Sequence, residues 1–231
     1  MTADDFKKMA ALEAVKLVRP DMVLGLGTGS TAAHFVAALG EKTRDGLYVT
    51  AVPTSEDTAR KAAAAGIEII EPDETTIIDL AVDGTDEVDP RKQLIKGGGG
   101  ALLREKIIAS AAKRFVVIAD ASKKVAELGA FALPVEIDRF SFPLTVRAVR
   151  EALAALGYQN PDVRLRAGPA GPAFLSDGGN FILDCKLTRI GDAAALDRAL
   201  GAIPGVVETG LFIGIADEVI LAGPGGIERI G

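Results

Sequence analysis

Carboxylates, lysines and glycine-rich turns hold most of the chemistry open to this 231-residue chain, which has one His, one Cys and no Trp. Zinc and thiol sites generally need several His or Cys ligands. Acid–base work therefore falls to Asp, Glu and Lys, and no metal is expected. Candidate residues gather in five segments: Gly25-Leu-Gly-Thr-Gly-Ser-Thr31, Pro53-Thr-Ser55, Asp83-Gly-Thr-Asp86, Lys96-Gly-Gly-Gly-Gly100 and Asp120-Ala-Ser-Lys123.

The first of these joins an apolar strand to a helix and offers backbone N–H groups, hydroxyls and a helix N-terminus to an anion, which suits a phosphate monoester. It departs from the dinucleotide fingerprint, which wants Gly where Ser30 stands, and from the P-loop, which ends in Gly-Lys-Ser/Thr. The alternative is a tight turn in which Ser30 or Thr31 caps the helix. Asp83 and Asp86 end an apolar strand, with Glu87 and Asp89 close behind; such crowding calls for solvent, a cation or a held proton, unless the Asp residues serve only local backbone N–H groups. Lys96 is a candidate counter-charge, or else an exposed lysine. Four successive glycines at 97–100 exceed what one turn requires and would let backbone N–H groups approach a ligand, where a flexible connector is the plainer reading.

Glu105 is the most informative single residue. On a helix over 101–113 its i±3 and i±4 neighbours are Ala101, Leu102, Ile108 and Ala109, so it points with the apolar face, while Lys106, Ser110 and Lys113 mark the solvent side. Burial raises a carboxyl pKa and a helix N-terminus lowers it. A positioned, buried carboxylate suits a general base acting next to a carbonyl; a buried ion pair is the alternative. His34, within the helix after the first glycine loop, reads as structural. Cys185 reads as a core thiol, because it sits mid-strand with no His near it. Lys123 is a candidate phosphate ligand.

These segments need a scaffold, and the apolar pattern supplies one. Helices are expected over 4–18, 31–39, 55–65 and 101–113, and strands over 22–24, 48–52, 67–70, 77–82 and 115–119. Short apolar strands alternating with helices indicate a parallel sheet covered on both faces, whose ligands bind beyond the strands' carboxyl ends. From about residue 130 the order becomes βαββαβ: strands over 133–137, 163–166, 181–186 and 206–208, helices over 143–156 and 192–202. That is a ferredoxin-like unit. The strand at 218–221, followed by Gly223-Pro-Gly-Gly226, is expected to return to the first sheet. The fold class is thus α/β, a Rossmann-like, mostly parallel sheet covered by helices, with an inserted ferredoxin-like α+β domain. The expected boundaries are 1–129 with 206–231 for the large discontinuous domain and 130–205 for the small one.

Composition narrows the partners. The formal net charge is -6, with 48% hydrophobic and 25% charged residues, ordinary globular values. An acidic balance without Lys/Arg runs argues against nucleic acid and anionic membrane. The longest apolar stretches are strand-sized, far below the ~20 residues that span a bilayer. Residues 1–20 lack the layout of a secretory signal, and a single thiol forms no internal disulfide. A cytoplasmic location is expected.

At these residues the chain resembles the type A ribose 5-phosphate isomerase family. The similarity is carried by GLGTGSTA at 25–32, DGTDEVD at 83–89, KGGGGALLREK at 96–106, ADASK at 119–123, LPVEI at 133–137 and IPGVVETGLF at 203–212. The resemblance implies interconversion of ribose 5-phosphate and ribulose 5-phosphate, in the non-oxidative pentose phosphate pathway, with no metal or organic cofactor. It makes Glu105 the base that moves a proton between C1 and C2 through an enediolate. Asp83, Asp86 and Lys96 would help open the ring, shuttle hydroxyl protons and steady the developing charge. Thr28, Gly29, Ser30, Thr31, Gly84, Thr85, Gly97, Gly98, Gly99 and Lys123 would complete the substrate site, with Lys7 reaching the phosphate. Thr85 stands where many members carry Ala. The family also suggests a homo-oligomer, dimer or tetramer. Two other readings compete. A non-catalytic sugar-phosphate-sensing domain should carry a basic helix-turn-helix, and none is seen. A related deaminase should place a His near its acids, whereas a CoA transferase would use a Glu nucleophile, which Glu105 alone leaves open.

Overall fold

The computed structural model describes residues 1–168, 171 and 173–231. In chain order it begins with α1 (Ala3–Val15), β1 (Val23–Leu26), α2 (Ser30–Arg44), β2 (Thr50–Pro53), α3 (Glu56–Ala64), β3 (Glu68–Ile69) and β4 (Leu80–Asp83). Next come β5 (Glu87–Val88), β6 (Leu94–Ile95), α4 (Leu102–Ala111), β7 (Phe115–Asp120), a 3-10 turn over Ala121–Lys123 and β8 (Leu133–Ile137). The remainder is α5 (Phe142–Ala155), β9 (Asp162–Leu165), β10 (Phe181–Lys186), α6 (Ala193–Gly201), β11 (Val206–Thr209), β12 (Leu211–Phe212), β13 (Glu218–Gly223) and β14 (Gly226–Ile230).

These elements form two compact units, one of residues 1–85, 104–123 and 214–231, the other of residues 86–103 and 124–213. The first holds a seven-stranded sheet in the order β14-β13-β7-β4-β1-β2-β3. All its pairings are parallel except β13 with β14. Strand order reverses between β1 and β4, the topological switch point where open α/β sheets bind ligands. Every residue of β4, β7 and β13 is buried, as strands covered on both faces must be. Helix α1 starts from a capping box in which Thr2 Oγ1 accepts from the Asp5 N–H at 3.2 Å and Asp5 accepts from the Thr2 N–H at 2.6 Å. It buries Ala10, Ala11 and Ala14, small residues that bring the helix close to the sheet, beside Leu24, Phe35, Leu39, Val116 and Ile220.

In the second unit the βαββαβ segment forms an antiparallel sheet in the order β11-β8-β10-β9. This is the ferredoxin-like arrangement the element order implied. Its core includes Val135, Val149, Leu153, Leu183, Cys185, Leu196 and Leu200. Short strands β5, β6 and β12 make a separate three-stranded antiparallel sheet. That pairing divides the chain differently from the expected boundaries. Ile95 of β6 and Leu211 of β12 pack into the ferredoxin-like core, so 86–103, 124–129 and 206–213 group with the smaller unit.

Most expected elements are present, with shifted ends. The strand expected over 77–82 begins at Leu80, and Gly25 lies inside β1 instead of in the loop after it. A Cβ on Gly25 would lie 2.5 Å from Ile108 of α4 and 2.9 Å from Ala81 of β4, so this glycine permits close helix–sheet packing. Strands β5, β6, β12 and β14 were not expected. Three have only two residues, too short for a periodic signal, and β14 is a largely exposed edge strand closing a hairpin over Gly223–Gly226.

Candidate active site

In the first unit, Asp83, Glu105 and the turn after β1 gather at the switch point. Asp83 ends β4 and is buried, and its Oδ1 accepts from the N–H of Thr28 at 3.1 Å and of Gly84 at 2.7 Å. A Cβ on Gly27 would collide with this carboxylate, so only glycine lets the β1 turn come against Asp83. Glu105, 4% exposed, stands in the first turn of α4 among buried Leu102, Ile108 and Ala109. The helical spacing read from the sequence thus describes the buried face correctly. Asp83 and Glu105 line one crevice with Gly25, Gly27 and Thr54. This puts two carboxylates beside the polar turn after β1.

That turn leads into α2, whose N-cap is Gly29 at φ 108° with no side-chain cap. Neither Ser30 nor Thr31 caps the helix, so its first N–H groups stay open to an anion. Lys7 of α1 donates to Ser30 Oγ at 3.0 Å, bringing a cation to the same turn. Lys123 ends the 3-10 turn directly after β7 and is half-buried. A hydroxyl cluster escaped the sequence reading. Thr28 Oγ1 lies 2.7 Å from Thr54 Oγ1 and 2.8 Å from Ser55 Oγ, while Thr58 Oγ1 donates to the Gly27 carbonyl at 2.9 Å. Ser55 also caps α3. The polar end of β2 was visible as Pro53-Thr-Ser55, but only the fold shows that it braces the loop after β1.

In the second unit, Asp86 and the glycine run meet. Asp86 Oδ2 accepts from the Gly98 N–H at 2.8 Å. A Cβ on Gly98 would lie 2.7 Å from Asp86 Oδ1, so the carboxylate's approach requires glycine there. Gly97 and Gly100 have positive φ, 99° and 85°. The run is therefore a shaped turn with local reasons for its glycines, not a loose connector. Lys96 is 2% exposed, which rules out the exposed-lysine reading. Its backbone N–H donates to the Gly210 carbonyl at 2.8 Å, and its Nζ lies 5.3 Å from the centroid of the Phe212 ring. Thr85 and Gly84 sit in the short link between Asp83 and Asp86.

Arg166 was also missed. It donates to the Gly97 and Gly98 carbonyls at 2.9 and 3.1 Å and makes a two-pronged pair with Asp184. Nothing in sequence flags it, because the contact depends on the register of β9 against β10 and on where the glycine run lies. His34 bonds to Asp4 at 2.9 Å, in keeping with a structural role. Cys185 is fully buried and its thiol pKa is pushed up to about 12 by burial, as a core thiol should be. Among the described residues no group of three or more His, Cys, Asp or Glu side chains could hold a metal ion, and no helix is long and apolar enough to cross a membrane.

Residues 50–226 match the family model described as ribose 5-phosphate isomerase A (phosphoriboisomerase A). The chain is 54% identical over 230 residues to a ribose-5-phosphate isomerase A of Rhodopseudomonas palustris (strain BisB18), covering 100% of this chain and 99% of that protein. It is 53% identical over 231 residues to one from Maricaulis maris (strain MCS10), with the same coverage. Among solved structures it resembles the ribose 5-phosphate isomerase of Plasmodium falciparum with a TM-score of 0.93 at 32% identity, covering 99% of this chain and 98% of that one. It resembles a D-ribose-5-phosphate isomerase solved with phospho-erythronic acid with a TM-score of 0.91 at 41% identity, covering 99% of both chains.

Proposed function

We infer a mechanism from one premise: the chain belongs to the ribose 5-phosphate isomerase A family and is an isomerase. In it Glu105 is the base that carries the proton between the two carbons. On the open-chain aldose, the Glu105 carboxylate takes the proton from C2, the C2–H electron pair forms the enediolate, and the carbonyl oxygen at C1 becomes anionic. Return of that proton to C1 gives ribulose 5-phosphate, while the C2 hydroxyl proton passes to the anionic C1 oxygen, making it the new hydroxyl as the carbonyl forms at C2. Asp83 and Asp86 exchange hydroxyl protons during ring opening and transfer. Lys96 and glycine N–H groups offset the developing oxyanion. Ser30, Thr31, the open N-terminus of α2, Lys7 and Lys123 receive the phosphate. Thr28, Gly29, Gly84, Thr85, Gly97 and Gly99 shape the sugar site.

The observation carrying this reading is the buried Glu105 carboxylate on an apolar helix face, lining one crevice with Asp83 at the sheet's switch point. A carboxylate with little water around it is a stronger base toward carbon than a solvated one. Phospho-erythronic acid, bound in a relative, supports the same chemistry here, because its planar carboxylate resembles an enediolate. We further propose that the protein works in the cytoplasm as a homo-oligomer, without metal or organic cofactor.

The test is conversion of ribose 5-phosphate by the purified protein, with arabinose, erythrose and glucosamine phosphates as comparators. Glu105→Gln should keep the fold and lower turnover about 10²- to 10⁴-fold, the usual range for losing a general base. Turnover near the wild-type value in the folded variant would remove Glu105 from this role.

A further inference from the structure

The peptide joining Gly97 to Gly98 is held at both ends. Its carbonyl accepts from Arg166 Nη1 at 2.9 Å, and its N–H donates to Asp86 Oδ2 at 2.8 Å. A cation on the oxygen side and a carboxylate on the nitrogen side polarise one amide in the same sense, so each hydrogen bond strengthens the other. Arg166 is itself anchored. Its Nε and Nη2 lie 3.0 and 2.5 Å from the two oxygens of Asp184, and Nη1 makes a second bond to the Gly98 carbonyl at 3.1 Å. The guanidinium lies 5.8 Å from the centroid of the Phe174 ring, and a Cβ on Gly100 would collide with that ring. Arg166 and Phe174 thus grip the glycine run at two points. Only a planar fork can serve a carboxylate and two carbonyls together.

We propose that Arg166, locked by Asp184, is a positioning residue for the isomerisation: through the Gly97–Gly98 peptide it holds the Asp86 carboxylate in its working orientation. The proposal rests on the reading that Asp86 acts on the sugar. It assigns work to a pair that the family reading leaves unused.

The test uses Arg166→Gln, Arg166→Lys and Asp184→Asn in the full-length protein, assayed well below the unfolding midpoint. A displaced catalytic group loses on the order of 100-fold for about 1 Å. Arg166→Gln should therefore lower kcat about 10- to 100-fold with KM changed less than about threefold. Arg166→Lys should fall between it and wild type, since an ammonium is a single-point donor. Two readouts separate positioning from simple scaffolding. Without substrate, the Gly98 amide proton should move upfield in Arg166→Gln as its bond to Asp86 weakens. In an Asp86→Asn background, Arg166→Gln should slow turnover by less than about threefold further, because both changes remove the same contribution. The proposal fails if folded Arg166→Gln retains wild-type kcat, if its loss lies wholly in KM, or if the two substitutions combine additively. Should Arg166→Gln not fold, Arg166→Lys and Asp184→Asn decide by the same criteria. Wild-type protein that fails to convert ribose 5-phosphate would overturn the functional reading; an unmoved Gly98 amide in a folded variant would overturn the Arg166 link alone.

Discussion

Gly98→Ala changes one methyl group and should disable the Asp86 arm of the site. The new Cβ would lie 2.7 and 2.9 Å from the Asp86 oxygens and 3.0 Å from its Cγ. Reaching ordinary contact requires the carboxylate to retreat by about 0.7 Å, which stretches its 2.8 Å bond from the Gly98 N–H to the outer limit for a hydrogen bond. Gly98 is not in the left-handed region that strains an L-residue, so the effect isolates the contact. For that displacement the expected loss in kcat is about 10- to 100-fold, roughly 1.4 to 2.7 kcal/mol. Stability should change less, by about 1 kcal/mol, because Asp86 is only half-buried and water can replace the lost donor. The assay is initial-rate formation of ribulose 5-phosphate, with the thermal midpoint measured on the same preparation. A kcat within twofold of wild type at an unchanged midpoint would refute the claim that Asp86 needs this approach.

Four further outcomes are expected. Gly201→Ala, in the last turn of α6 with open space around its Cβ position, should stabilise the fold by about 0.5 to 1 kcal/mol; a lowered urea midpoint would contradict this. Cys185, with its thiol pKa pushed up to about 12 by burial, should react with a disulfide reagent only as the protein unfolds, so prompt labelling in buffer at pH 8 would be the contrary result. The Lys113 ammonium and the Val23 N–H hold the Asp79 carboxyl below its ordinary 3.8. This group therefore stabilises the fold above 3.8, and the contribution is lost as pH falls through the lowered folded value. Asp79→Asn should accordingly flatten the fall in urea midpoint between pH 5 and 2. Finally, incubation with a chelator should leave turnover unchanged, and activity lost to EDTA and restored by added metal would overturn the metal-free mechanism.

Local chemistry made much of the molecule legible. The helical period around Glu105 is a property of a few consecutive residues, and burial of Leu102, Ile108 and Ala109 follows from it directly. Strand β7 has an apolar stretch matching its central place in the sheet, and the βαββαβ order after residue 130 was enough to anticipate the antiparallel order β11-β8-β10-β9. What escaped detection is non-local. Strands β5, β6 and β12 are two-residue pieces that exist because they pair with one another, and that pairing draws 86–103 into the smaller unit. The glycines show the same contrast. Four in a row signal a special backbone, yet only the structure distinguishes Gly98, which admits the Asp86 carboxylate, from Gly100, which admits the Phe174 ring.

The sequence by itself determined which residues are able to do acid–base chemistry, because residue type and short-range period decide what can ionise and which side of a helix it occupies. It also determined the family, through motifs spread along the chain between residues 25 and 212. The tertiary structure alone decided how those groups are held: Asp83 by the N–H groups of Thr28 and Gly84, Thr28 by the hydroxyls of Thr54 and Ser55, and the Gly97–Gly98 peptide by Arg166. Each of these contacts except that with Gly84 joins residues far apart in the chain. Their distances are set by strand register and sheet order, which no local pattern encodes.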